Sequence, residues 1–129
     1  MITLLYAPNT ASLAVHIALE ESGADYQLKK VDFARKEQTS AEYLAINPKG
    51  RVPALVTERG VLTETPAILL FIAQSFPQAG LAPLDDLWQL AQLQAFNAYL
   101  CATVHVAHAH RVRGTRWADE PAAIEAMAA

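Results

Sequence analysis

The sequence lacks the features that mark several large classes of protein. Its 129 residues contain a single cysteine, Cys101, which excludes a disulfide within the chain. The longest apolar run, residues 67–73, is far too short to cross a bilayer. The N-terminal segment has no basic stretch and reaches Pro8 and Asn9 too early for a secretory signal. We therefore expect a cytoplasmic protein with no disulfide and no membrane partner.

The chain also lacks an excess of charge of either sign. Ten Lys and Arg residues stand against 13 Asp and Glu residues, which gives a net charge of −3, and the basic residues are scattered. A surface that follows nucleic-acid phosphates requires clustered basic residues, so we expect no nucleic-acid partner. With 53% hydrophobic and 18% charged residues, the composition is typical of an ordinary soluble domain.

Alternating strands and helices are predicted for the first 77 residues. Gly23, Pro77 and the Asn47-Pro48 turn separate the elements, and Thr65 followed by Pro66 predicts an N-cap and the first helical position. The order β-α-β-α-β-β-α predicts a four-stranded mixed sheet covered by helices, with one right-handed parallel crossover. The predicted elements are strands at 2–6, 26–33, 54–57 and 61–63, and helices at 11–22, 41–46 and from 65 to Pro77.

The remainder of the chain is predicted to be helical. Residues 78–84 predict a linker, and a long helix is predicted from about residue 85 to Arg113. Such a helix would be roughly 40 Å long and would need partner helices. Only one more helix begins, near residue 119, and the sequence ends within it. We therefore expect a sheet domain over 1–77 followed by an incomplete all-helical domain over 85–129.

Two segments carry the most specific pattern in the chain. Residues 47–55 are NPKGRVPAL, and residues 62–68 are LTETPAI. These segments resemble the N-P-x-G-x-V-P-x-L and E-S-x-A-I motifs of the soluble glutathione transferases, and the order of predicted elements is similar to that family over the whole chain. The resemblance implies a thioredoxin-like, glutathione-binding domain, the start of an all-α domain, and a homodimer.

The resemblance also implies which residues bind glutathione, a peptide with two carboxylates, one ammonium and a thiol. Val52-Pro53, joined by a cis bond in that family, would turn the Val52 N–H and C=O groups toward the cysteinyl backbone. Glu64 would bind the γ-glutamyl ammonium, and Thr65 would cap a helix whose N–H groups favour the γ-glutamyl carboxylate. Lys36, or its neighbour Arg35, would bind the glycyl carboxylate.

A transferase must hold glutathione as a thiolate at neutral pH, whereas a thiol in water has a pKa near 8.5. Lowering that pKa by about two units requires about 2.7 kcal/mol. A helix N-terminus supplies about 0.3–1 kcal/mol, so a hydrogen bond to the sulfur, worth about 1.5–3 kcal/mol, is needed at the start of the first helix. The available donors are Tyr6, Asn9, Thr10 and Ser12. We favour Ser12, then Thr10, then Asn9; the alternative for each hydroxyl is that it only caps the helix.

Two further positions qualify the resemblance. The loop over residues 8–13 is most similar to the bacterial beta-type loop P-G-A-C-S-L, but Ala11 stands where that class has its cysteine, so thiol–disulfide chemistry of that kind is not expected. His105 is similar to the beta-type histidine that faces the thiol across the domain cleft. Cys101, His105 and His108 follow at i, i+4 and i+7, but zinc would require a further ligand and the family uses no metal, so we expect none.

These patterns predict an enzyme, a glutathione transferase acting in detoxification. It would use glutathione as co-substrate and direct its sulfur at an electrophilic carbon of a hydrophobic substrate. Much of the wall that binds this electrophile would come from helices absent here, which leaves the activity of the short chain open. One alternative is a glutathione-dependent isomerase or dehalogenase, which would share every motif above. Another is a non-catalytic binding or regulatory member of the family.

Overall fold

The apolar segment Ile2–Tyr6 forms strand β1 in the interior of a four-stranded mixed sheet. The computed structural model describes residues 1–129, and in it β1 pairs in parallel with β2 and antiparallel with β3, which in turn pairs antiparallel with β4. The sheet order is β2-β1-β3-β4, so β1 has a neighbour on each side, as its apolar sequence requires. The other strands are β2 (Tyr26–Lys30), β3 (Ala54–Thr57) and β4 (Gly60–Thr63).

The alternation of side chains along β1 divides the core into two layers. Leu4 packs against helices α1 (Ser12–Ser22) and α3 (Thr65–Ser75) on one face of the sheet. Leu5 packs on the other face with Tyr43, which belongs to the short helix α2 (Ala41–Ile46). The predicted element order and the thioredoxin-like architecture are therefore confirmed.

Strand β2 is shorter than the pattern predicts, because a turn begins directly after it. Pairing with β1 ends where the Val31 N–H donates to the Tyr6 carbonyl at 2.7 Å. The Asp32 carboxylate then accepts the N–H groups of Ala34 and Arg35, which bends the chain away from the sheet. The strand consequently ends at Lys30 rather than at residue 33.

Helix α3 begins differently from the prediction. Thr65 is its first residue, not its N-cap; Glu64 occupies the cap position with φ 72 and makes no side-chain cap hydrogen bond. The prediction of Thr65 as N-cap is wrong because the Ile68 N–H, which a Thr65 cap would accept, donates instead to the Glu64 carbonyl at 3.0 Å. The Thr65 hydroxyl is left without a hydrogen bond inside the chain.

The chain separates into two compact units, Met1–Asp86 and Leu87–Ala129. In the second unit, one long helix was predicted, but a π turn over Leu100–Val104 interrupts it, closed by the His105 N–H on the Leu100 carbonyl. None of the helices combines the length and the apolarity needed to span a bilayer. The helices of this unit are α4 (Leu87–Tyr99), α5 (His105–Arg113) and α6 (Pro121–Ala128).

Candidate functional site

The main chain at Val52 is open to an incoming peptide. The Val52–Pro53 bond is cis, as the resemblance implies. Val52 lies just before β3 and is half-buried, and neither its N–H nor its C=O makes a hydrogen bond within the chain. An extended peptide can therefore add to this segment as a short strand would.

Two buried side chains fix the residue that precedes Val52. The Arg51 carbonyl accepts the Tyr43 hydroxyl at 2.6 Å and the Asn47 Nδ2 at 2.7 Å. Asn47 is only 2% exposed and also accepts the Lys49 N–H through its Oδ1. Burial raises the pKa of the Tyr43 phenol, which keeps the hydroxyl protonated as a donor. The sequence interpretation missed both residues, since it treated Asn47 as turn chemistry and Tyr43 as a helix residue.

Gly50 gives this turn its tight conformation. Its φ is +61, and a Cβ atom at this position would lie 3.0 Å from the Gln38 carbonyl oxygen. A side chain here would therefore be strained both by the left-handed backbone and by close contact with main-chain atoms of Gln38.

Replacing Gly50 with alanine is expected to lower the free energy of unfolding by about 2 kcal/mol. The matched control is Gly23→Ala, because Gly23 also has a positive φ, of 68, but nothing lies within 4 Å of its Cβ direction. Denaturant unfolding of both variants measures the difference. An equal loss of stability in both variants would contradict the close contact with Gln38.

The start of α3 offers donors to an anion next to a carboxylate. The N–H groups of Thr65 and Ala67 have no acceptor within the chain, and Pro66 has no N–H to satisfy. Glu64, which precedes them, has a positive φ, a conformation that is rare for a residue with a side chain, and its carboxylate accepts the Lys49 ammonium. Together these groups can bind an ammonium and a carboxylate that lie close together in one ligand.

The hydroxyl groups at the start of α1 form a closed network. Ser12 is 1% exposed, and its Oγ lies 3.2 Å from the Ala7 N–H donor and 3.0 Å from the Ala7 carbonyl. The Thr10 Oγ1 lies 2.8 Å from the same carbonyl and 2.7 Å from the Ser12 Oγ. Thr10 is half-exposed, so of the two hydroxyls it is the one that a ligand can reach. Which of the two hydroxyls serves the thiolate stays a prediction.

The remaining thiolate donors and the proposed cations differ in exposure. Asn9 is exposed and has a left-handed backbone with φ 56, whereas the Tyr6 ring lies 6.1 Å from the His16 ring on α1. Arg35 and Lys36 are both exposed, and neither forms an ion pair. Both cations are therefore available to an anionic ligand group.

His105 belongs to the second unit and is the first residue of α5, directly after the π turn. Its side chain is exposed, as are those of Cys101 and His108. The structure brings together no group of three or more His, Cys, Asp or Glu side chains arranged to hold a metal ion. The role of His105 in catalysis stays a prediction from the resemblance.

Comparison with known proteins identifies the family of the chain. Residues 1–74 match the family described as glutathione S-transferase, N-terminal domain. The chain is 40% identical over 105 residues to the glutathione S-transferase GstA of Escherichia coli O157:H7, covering 79% of this chain and 52% of that protein. It is 37% identical over 106 residues to the maleylacetoacetate isomerase of Pseudomonas aeruginosa, covering 80% and 50% of the two chains.

The solved structures include a similar protein with its ligand. A glutathione transferase homologue from Sulfitobacter, with bound glutathione, superposes with a TM-score of 0.93 at 51% identity, over 99% of this chain and 62% of that one. The chain spans about half the length of the two curated relatives described above. Because the family match covers more than half of the chain and the sheet order agrees with it, the chain belongs to the glutathione S-transferase family.

Proposed function

We propose that the chain binds glutathione, stabilises its thiolate and directs the sulfur at an electrophilic carbon of a hydrophobic substrate. The observation that carries this proposal is the unpaired main chain of Val52 in the same unit as the unoccupied N–H groups at the start of α3. The cysteinyl backbone of glutathione can pair with Val52, and its charged γ-glutamyl head can bind the N–H groups at the start of α3. The glutathione bound to the 51% identical Sulfitobacter homologue supports this assignment.

Each charged or polar part of glutathione has a proposed partner. The cysteinyl N–H and C=O pair with Val52, whose orientation before Pro53 leaves both groups free. The γ-glutamyl ammonium binds the Glu64 carboxylate, and the γ-glutamyl carboxylate binds the Thr65 hydroxyl and the N–H groups of α3. Lys36 is proposed to bind the glycyl carboxylate, with Arg35 as the alternative.

In this proposal Thr10 donates a hydrogen bond to the sulfur, and Ser12 holds the loop that carries Thr10. Ser12 donates its proton to the Ala7 carbonyl and holds the loop closed. The Thr10 hydroxyl donates to the same carbonyl in the chain without ligand, and it turns from this acceptor to the thiolate when glutathione binds. A hydrogen bond to a charged sulfur is worth about 1.5–3 kcal/mol, enough to lower the thiol pKa by about one to two units. His105 is retained as a third proposed catalytic residue.

Several properties of the whole protein are proposed from the family alone. They are a hydrophobic electrophile, a homodimer, a cytoplasmic location and a role in detoxification. A second candidate function, glutathione-dependent isomerisation, is favoured by the 37% identity to the Pseudomonas aeruginosa maleylacetoacetate isomerase. The non-catalytic alternative would bind glutathione at Val52 and at the start of α3 but would not require the Thr10 hydroxyl.

Calorimetric titration with glutathione tests the proposal directly. The chain is expected to bind one glutathione, and Glu64→Gln is expected to weaken binding by about tenfold, because the ammonium loses a charged acceptor. Glu58→Gln is the control, since Glu58 is an exposed carboxylate on the β3–β4 turn. Absence of binding by the unaltered chain would refute the proposal, and binding without conjugation of any electrophile would favour the non-catalytic alternative.

A further inference from the structure

Lys49 connects the turn before Val52 to Glu64 at the start of α3, 15 residues further along the sequence. Its ammonium donates to Glu64 Oε1 at 2.6 Å and to Thr63 Oγ1 at 3.1 Å. The two side chains remain 52% and 65% exposed, and ion pairs of this kind contribute at most about 1 kcal/mol to stability. The contribution of the Lys49–Glu64 pair to stability is therefore small. The pair is more informative as a group that can bind a charged ligand.

The backbone of Lys49 is fixed by the turn that carries it. The Lys49 N–H donates to Asn47 Oδ1 at 3.1 Å, and the Gly50 N–H donates to the Asn47 carbonyl at 3.0 Å. The ammonium uses two of its three N–H groups on Glu64 and Thr63, which leaves the third for another acceptor. Lys49 is thus a positioned charge with one donor available.

The γ-glutamyl head of glutathione carries a carboxylate and an ammonium on the same carbon. A lysine beside a glutamate is complementary to this zwitterion, because each charge of the ligand meets an opposite charge. Glu64 Oε2 is not used by Lys49 and can accept the ligand ammonium. The ligand carboxylate can then interact both with the Lys49 ammonium, which is bound to Glu64, and with the N–H groups of the helix that Glu64 precedes, so that cation and helix terminus favour the same charge.

We propose that Lys49 is a specificity-determining residue that selects ligands whose γ-glutamyl head carries a carboxylate. This inference rests on the proposed binding of glutathione and extends it to a residue at the variable position of the N-P-x-G motif. Lys49 acts on the head of the ligand, so it affects which peptide binds and leaves the reacting sulfur to other residues.

The test is a calorimetric titration of the unaltered chain and of Lys49→Met with three peptides. They are glutathione, glutaryl-cysteinyl-glycine, which lacks the amino group, and γ-aminobutyryl-cysteinyl-glycine, which lacks the carboxylate. Lys49→Met is expected to weaken the first two by about fivefold and to change the third by less than about twofold. Lys49→Arg should retain binding, and Lys30→Met, which removes an exposed lysine from β2, should change none of the three.

The possible results separate this inference from the proposed function. Equal weakening toward all three peptides would mean that Lys49 only supports the turn, and tighter binding of glutathione would mean that it competes for Glu64; either result overturns the inference. Unchanged binding by Lys49→Met overturns the inference alone. If the unaltered chain binds none of the peptides, the proposed function and the inference both fail.

Discussion

Thr10→Val is expected to reduce the rate of conjugation at pH 7 by about tenfold or more while glutathione stays bound. Valine keeps the shape of threonine but cannot donate a hydrogen bond to the sulfur. Loss of about 1.5–3 kcal/mol of thiolate stabilisation raises the pKa of the bound thiol by about one to two units. Less of the bound glutathione is then ionised at neutral pH, and the rate recovers as the pH rises through the new pKa.

The measurement is the pH profile of kcat/KM, together with the pKa of bound glutathione from the thiolate absorbance. Thr10→Ser is the matched control, because it restores the hydroxyl, and its profile should follow the unaltered chain. Ser12→Ala separates the two hydroxyls: it leaves the buried Ala7 N–H without its acceptor, so stability should fall by about 1–3 kcal/mol with little shift of the profile. A large shift in Ser12→Ala and none in Thr10→Val would contradict the proposed division.

Asn47→Ala is expected to lower the free energy of unfolding of the first unit by about 3 kcal/mol. The change removes the donor to the Arg51 carbonyl and the acceptor of the Lys49 N–H, at a side chain that is 2% exposed. The Arg51 carbonyl keeps the Tyr43 hydroxyl as a donor, but two hydrogen bonds worth about 0.5–1.5 kcal/mol each are lost, and a cavity is left where the buried amide packed. The turn before Val52 loosens at the same time, so glutathione should bind more weakly even where the variant is fully folded.

Tyr43→Phe is the comparison for Asn47→Ala. Phenylalanine preserves the packing of Tyr43 against Leu5 and removes only its hydrogen bond to the Arg51 carbonyl, which still accepts from Asn47. We expect a loss of about 1 kcal/mol. Denaturant unfolding and calorimetry at a temperature well below both transitions give the two quantities. Glutathione affinity unchanged in Asn47→Ala would mean that Asn47 holds the fold but not the binding segment.

The elements of the sheet domain were predictable because the apolar pattern of each segment matches the burial of that segment in the fold. Strand β1 is apolar on both faces and is buried on both faces, and Gly23 ends α1 with the left-handed conformation that glycine favours. The motif around Val52 and Glu64 was predictable from resemblance, since it is defined by residue identity and spacing rather than by packing.

Other features depend on contacts that residue type does not encode. A serine in the first turn of a helix looks the same in the sequence whether its hydroxyl faces a ligand or, like that of Ser12, turns inward to Ala7. The pair of Lys49 with Glu64 joins residues on separate segments, so neither position alone suggests it. Glu64, and not Thr65, occupies the cap position of α3, because the Ile68 N–H donates to the Glu64 carbonyl and not to the Thr65 hydroxyl.

The wider turn over Leu100–Val104 changes the register of the helix that follows it. A hydrogen bond from His105 back five residues to Leu100 accommodates one residue more than an α-helical turn, so the chain beyond it is rotated by about 100° relative to an uninterrupted helix. Steps of three and four counted from α4 therefore do not continue onto the same face of α5. The faces of α4 and α5 are offset by this extra residue, which the periodicity of the sequence does not reveal.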